Sequence, residues 1–147
     1  MALNTGAIGK TYPASDYAAG REKIREYAYA VGETNPVYLD VEAARAAGYA
    51  DVVAPPMFAV VYQGRAITPA LFDPHVGINF ANMLHAGQEF EWGPVVVAGD
   101  EIKTTITVEN IEERGGMGFY DFVGESRNQR DEIVCTGTWR QIVRGRS

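Results

Sequence analysis

From Leu84 onward the chain alternates between apolar and polar positions. Phe90 and Trp92 alternate with Glu89 and Glu91, and Ile102, Thr104, Ile106 and Val108 alternate with Lys103, Thr105, Thr107 and Glu109. A period of two places one set of side chains on each face of a strand. Further strands are predicted over about Gly118–Ser126 and Ile133–Val143. Gly115-Gly116-Met117-Gly118 and Asn128-Gln129-Arg130-Asp131 are the turn signals between them. Gly93-Pro94 and Gly99 turn the chain between the first two of these strands.

The first half has the other period. Ile24, Tyr27, Ala28 and Val31 fall at i, i+3, i+4 and i+7, which predicts a helix over 21–31 with one apolar stripe. Gly32 and Pro36 stop it. A second short helix is expected over Val41–Ala47, with Asp40 as N-cap and Gly48 past its end. Pro56 suits the first turn of a third helix. Met57 to Tyr62 is apolar on all sides, which predicts burial all round. Residues 66–83 read as loop and short turns because Pro69 and Pro74 interrupt them. Residues 1–19 read as irregular, with a short strand near Lys10–Pro13. Helices precede a meander of strands, so the economical α+β arrangement is one domain over residues 1–147. In it a curved antiparallel sheet wraps the Pro56–Tyr62 helix. Its open edge invites a second subunit.

Composition narrows the function classes. The net charge of −6 argues against nucleic acid as a partner. Arg140, Arg144 and Arg146 are a local exception that reads as a solvated basic tail. The single cysteine, Cys135, excludes an internal disulfide and fits a cytoplasmic setting. The N-terminus lacks the apolar stretch of a signal peptide, and the apolar run from Ala54 to Tyr62 is far shorter than the roughly 20 residues of a spanning helix. No membrane association is expected.

Several chemistries lack their residues. His75, His85 and Cys135 show no metal-binding spacing. No serine lies in a nucleophile elbow. Gly6 to Thr11 lacks the first glycine of a phosphate loop, where Asn4 stands, and the glycines at 115, 116 and 118 are not a dinucleotide fingerprint. His85 reads as structural, and Glu89 and Glu91 read as a solvated strand face. What remains is the stiff polar loop Gly32-Glu33-Thr34-Asn35-Pro36-Val37-Tyr38-Leu39-Asp40. Its spacing suits a capped turn between helices as well as a site. Met57 and Phe58 read as core, with one end of their helix able to line an acyl tunnel.

At this loop the sequence resembles the MaoC-like dehydratases, hot-dog-fold enzymes that hydrate or dehydrate acyl thioesters with (R) stereochemistry. The resemblance extends through Ala54-Pro55-Pro56-Met57-Phe58, Leu84-His85-Ala86-Gly87-Gln88-Glu89-Phe90-Glu91-Trp92 and Val97-Ala98-Gly99-Asp100. The helix at Gly20–Ala28 is similar to that of the small A-type subunits of mycobacterial (3R)-hydroxyacyl-carrier-protein dehydratase. Catalytic members carry a loop of the form Gly-Asp-x-Asn-Pro-hydrophobic-His-x-Asp. Glu33 stands at the Asp position and Tyr38 at the His position, while Asn35, Pro36 and Asp40 are kept.

The resemblance thus implies catalytic positions at Glu33 and Tyr38, both altered. It implies substrate contacts from Asn35, Asp40, Pro56, Met57 and Phe58, and no cofactor or metal. Tyrosine, with an ordinary pKa of about 10 against about 6.5 for histidine, is the weaker base near neutrality. The function implied is a subunit that shapes an acyl channel for a CoA or carrier-protein thioester. A catalytic partner in a homodimer or heterodimer then supplies the Asp/His pair. The alternatives are a self-sufficient hydratase or thioesterase using Glu33, and an acyl-thioester binding module without chemistry.

Overall fold

The computed structural model describes residues 2–145. Arg146 and Ser147 lie outside the described residues, so the basic tail is seen only at Arg140 and Arg144. Five strands form one antiparallel sheet: β1 (Ser15–Ala18), β2 (Met83–Trp92), β3 (Glu101–Arg114), β4 (Met117–Arg127) and β5 (Ile133–Val143). The order across the sheet is β1-β3-β4-β5-β2, with β1 and β2 at the edges. The register places Phe122 beside Trp139, and Trp139 beside Gln88. Alternation therefore puts Tyr120, Phe122, Cys135, Gly137, Trp139 and Phe90 on one face. Against that face packs α3 (Ala59–Leu71).

α1 (Arg21–Ala30) buries Ile24 and Ala28, the centre of the stripe read from its period. α2 (Val41–Ala46) is capped by Asp40, whose Oδ1 accepts from Glu42 N–H at 3.1 Å. Gly32 and Gly48 follow the two helices at φ 75° and 95°, where a side chain is strained.

Three expectations need correction. The central helix does not end near Tyr62: a single 3-10 turn at Pro56–Phe58 leads into α3, which continues to Leu71 through Pro69. Proline there removes the bond to the Arg65 carbonyl. Both residues are exposed, so water can take the bond's place. The helix is not buried all round either. Met57, Arg65 and Thr68 are exposed, and Val60 and Val61 half-buried, because five strands cover only one side of it. Near the N-terminus, Thr11 makes only an isolated bridge to Thr107, and the strand proper is β1, which pairs with β3.

The N-terminal segment is fastened to the far end of α3. Asp73 accepts from Lys10 Nζ and from the Tyr12 hydroxyl (2.6 Å), and His75 N–H donates to it at 2.9 Å. The Lys10 bond, then those of Tyr12 and His75, hold the Asp73 carboxyl down at about 2. Desolvation, then the bond to Asp73, pushes the Tyr12 phenol above its ordinary range. Among the described residues no helix is long and apolar enough to cross a membrane.

Candidate functional site

The first turn of α3 borders a cavity of about 690 Å³. Its walls come from four places in the chain. One is the loop at Asn35, Val37 and Tyr38. The second is Ala47 and Tyr49, just past α2. The third is Val53 to Pro56, leading into Phe58, Ala59 and Tyr62. The fourth runs from Trp92 to Val96 with Val134 behind it.

Local bonding explains why these pieces meet. Asn35 Oδ1 accepts from Val37 N–H at 3.1 Å, which turns the chain into the 3-10 segment Pro36–Tyr38. The Val37 carbonyl then accepts from Val53 N–H at 2.9 Å, docking the loop on the next wall. Val53 and Val97 form a bridge flanked by Ala54 N–H to Val96 O (2.8 Å) and Ala98 N–H to Val52 O (3.0 Å). Buried Asp100 holds the turn after that wall, accepting from Val97 N–H at 3.0 Å and from Gln129 Nε2 at 2.8 Å. Gly93 must be glycine, because a Cβ there would lie 2.0 Å from the Ile133 carbonyl oxygen. At the rim, Trp92 Nε1 donates to the Pro56 carbonyl at 2.9 Å and closes the strand end over the helix start.

The structure divides the residues singled out by sequence. Asn35, Tyr38, Pro56 and Phe58 line the cavity. Glu33, Asp40 and Met57 are not among its lining residues. Asp40 is the cap of α2, and Met57 points to solvent at 46% exposure. Glu33 is half-buried, and its charge falls on Tyr27. Desolvation, then that charge, raises the Tyr27 phenol, and the Tyr27 ring stands edge-on to Phe58 at 5.5 Å. His85 lies on β2, 3.0 Å from Gln141 Nε2 through Nδ1, and does not line the cavity.

Sequence reading missed Tyr49, Tyr62 and the Pro94–Val96 wall as cavity residues. Tyr62 had a usable signal, since it follows Phe58 by one helical turn and shares its face. Tyr49 and Pro94–Val96 lie on connections whose inward side no period marks.

The chemistry of the lining is distinctive. Among the described residues it contains no Asp, Glu, His, Lys, Arg or Cys; its ionisable groups are the phenols of Tyr38, Tyr49 and Tyr62. Burial, then the neighbouring Cys135, pushes the Tyr62 phenol far above its ordinary range. Burial likewise pushes the Cys135 thiol up to about 11. An apolar slot with a few polar groups can hold and orient a chain-like ligand. It holds no group that exchanges a proton readily near neutrality. Among the described residues no cluster of three His, Cys, Asp or Glu side chains stands close enough to hold a metal ion.

An antiparallel sheet packed on one helix, with this cavity at the helix's start, is the architecture of the hot-dog hydratases and dehydratases. Residues 6–137 match the profile of the FAS1-like dehydratase domain region, and the chain belongs to that family. A UPF0336 protein of Clavibacter michiganensis subsp. michiganensis is 49% identical over 146 residues, 99% of this chain and 98% of that one. One from Streptomyces avermitilis is 41% identical over 145 residues, 98% and 97% of the two chains.

Among solved structures, a MaoC-like dehydratase superposes with a TM-score of 0.86 at 26% identity over 95% of this chain. This chain spans only 43% of that longer one. A chain of the HadBC (3R-hydroxyacyl-ACP dehydratase) complex of Mycobacterium tuberculosis superposes at 0.81 with 27% identity, over 95% and 99% of the two chains. The MaoC-like resemblance and the hot-dog fold are thereby shown.

Proposed function

We propose that this chain is the acyl-channel subunit of an (R)-specific enoyl-thioester hydratase or (3R)-hydroxyacyl-thioester dehydratase, acting with a partner hot-dog subunit that supplies the Asp/His pair. The observation that carries this reading is the cavity itself. It is lined by the loop that the resemblance marks as catalytic and by the helix start, yet among the described residues no carboxylate or imidazole lines it. Reversible addition of water across an enoyl thioester needs a base for the water and an acid for the α-carbon. Tyr38 is the group at the histidine position, and a phenol, with an ordinary pKa of about 10, is in general a weaker base near neutrality than an imidazole. Glu33 is present but does not line the cavity.

A partner is supported by the sheet edge. β2 is a ten-residue edge strand with Leu84 and Trp92 exposed, and Trp92 also lines the cavity. A subunit paired there sits beside the cavity mouth. HadBC, as its name records, is a complex.

The test is reconstitution. The chain is purified alone and together with a hot-dog subunit from the same cell whose loop holds Asp and His. Both samples are then assayed for hydration of a crotonyl-type thioester. Activity well above that of either subunit alone is expected in the mixture. No complex and no gain with every such partner counts against a subunit role and favours a binding module.

A further inference from the structure

The cavity has a graded depth. Tyr49, Trp92 and Val95 are exposed and form its mouth, whereas Val53, Ala59, Val134 and Tyr62 are buried and form its inner end. Tyr62 is the largest of the inner group and the only one with a polar tip. Its ring is fixed from several sides. Phe58 stands at 6.2 Å and Tyr17 at 6.3 Å, and Cys135 neighbours its phenol. The backbone at Cys135 is itself tied to α3, since its carbonyl accepts from Gln63 Nε2 at 3.4 Å. A ring set between two aromatic neighbours, on a helix packed against the sheet, is placed to act as a stop.

We propose that Tyr62 terminates the cavity and sets the longest acyl chain it admits. The proposal rests on the reading of the cavity as an acyl-thioester channel. The tail of the chain passes Val53, Val96 and Val134, and its end meets the Tyr62 ring. Each methylene buried before that stop tightens binding about fourfold. A methylene beyond it adds nothing or weakens binding, because it must displace a packed ring. Tyr62→Ala removes the stop and opens space beside the Phe58 and Tyr17 rings, which pack edge-on to each other at 6.1 Å. Tyr62→Leu shortens it. Tyr62→Phe keeps the ring and gives up only the hydroxyl, so the stop stays where it is.

The experiment titrates saturated acyl thioesters of increasing length into the full chain, as CoA esters in one arm and on carrier protein in the other. The chain length at which affinity stops rising is read in each arm. The same plateau is expected in both arms, because it belongs to the acyl end, while the arm with the tighter binding identifies the carrier. In Tyr62→Ala the rise is expected to continue for about two or more methylenes, at about fourfold each. Tyr62→Leu gives a smaller extension, and Tyr62→Phe leaves the plateau in place.

A plateau unmoved in folded Tyr62→Ala, or in Tyr62→Leu if the alanine variant does not fold, overturns the assignment. So does an equal shift in Tyr62→Phe. If the unaltered chain binds none of the thioesters in either arm, the channel reading falls as well. If it binds them and only the plateau fails to move, that reading stands without this one.

Discussion

The two halves of α3 do different work. Beyond Gln63, the residues Ala66, Ile67 and Ala70 pack with Ile106, Val108, Ile111, Tyr120 and Phe122 in a closed apolar cluster. Before it, Phe58, Ala59 and Tyr62 pack with Ile24, Val52, Ile102 and Val134, and Phe58, Ala59, Tyr62 and Val134 border the cavity. Gln63 marks the boundary. It is fully buried, donates through Nε2 to Gly124 O (3.1 Å) and Ser126 Oγ (3.0 Å), and accepts from Trp139 Nε1 at 3.0 Å. A buried amide so placed fixes the helix on the sheet at one register. The closed half is packed throughout, whereas the other half leaves an opening beside its own buried cluster.

Substitutions can separate the halves. The largest effect is expected from Phe122→Ala, fully buried in the closed half. It should cost about 3–5 kcal/mol by urea unfolding, yet leave ligand binding intact in the fraction that stays folded. Next is the boundary. Gly137→Ala places a Cβ 2.1 Å from Gln63 Oε1 and 2.8 Å from the Phe90 ring. A loss of about 1–3 kcal/mol in the same unfolding measurement is expected, with altered fluorescence of Trp139 as its bond to Gln63 shifts.

The clamp at the far end of α3 should show itself through pH. Asp73 is held below its ordinary value of 3.8, at about 2, so its contribution is present above about pH 4 and is lost as pH falls toward 2. Asp73→Asn should remove about 1 kcal/mol at neutral pH, a figure kept small by the partial exposure of Lys10, and should flatten the stability curve across that window. The smallest effect is expected at the mouth. Val95 is 47% exposed, and Val95→Ala should change stability by less than about 0.5 kcal/mol. A large loss there would mean that the cavity half also carries the fold.

The regular elements were legible in the sequence and the cavity only partly. Alternation at Ile102–Val108 and the stripe centred on Ile24 and Ala28 each record a face turned inward, so period alone finds them, although Val31 at the end of that stripe is exposed. The continuation of α3 past Pro69 was hidden because proline disrupts a helix in general. Whether it is tolerated depends on which side faces water. The loop at 32–40 was found through its residue types and its family likeness. Those types do not record that Tyr38 lines the cavity while Glu33 does not, which depends on the loop docking through Val37 and Val53. Asn35, Tyr38, Pro56 and Phe58 meet at one cavity, whereas Asp40 and Met57, grouped with them through the family likeness, do not line it.

The central claim is that the open half binds an acyl thioester without proton chemistry of its own. It is tested most directly by the hydration rate of the lone chain on a crotonyl-type thioester, with Glu33→Gln measured beside it. The account predicts no turnover above the uncatalysed rate in either protein. Robust turnover by the unaltered chain, abolished by Glu33→Gln, would contradict it and make Glu33 the working base.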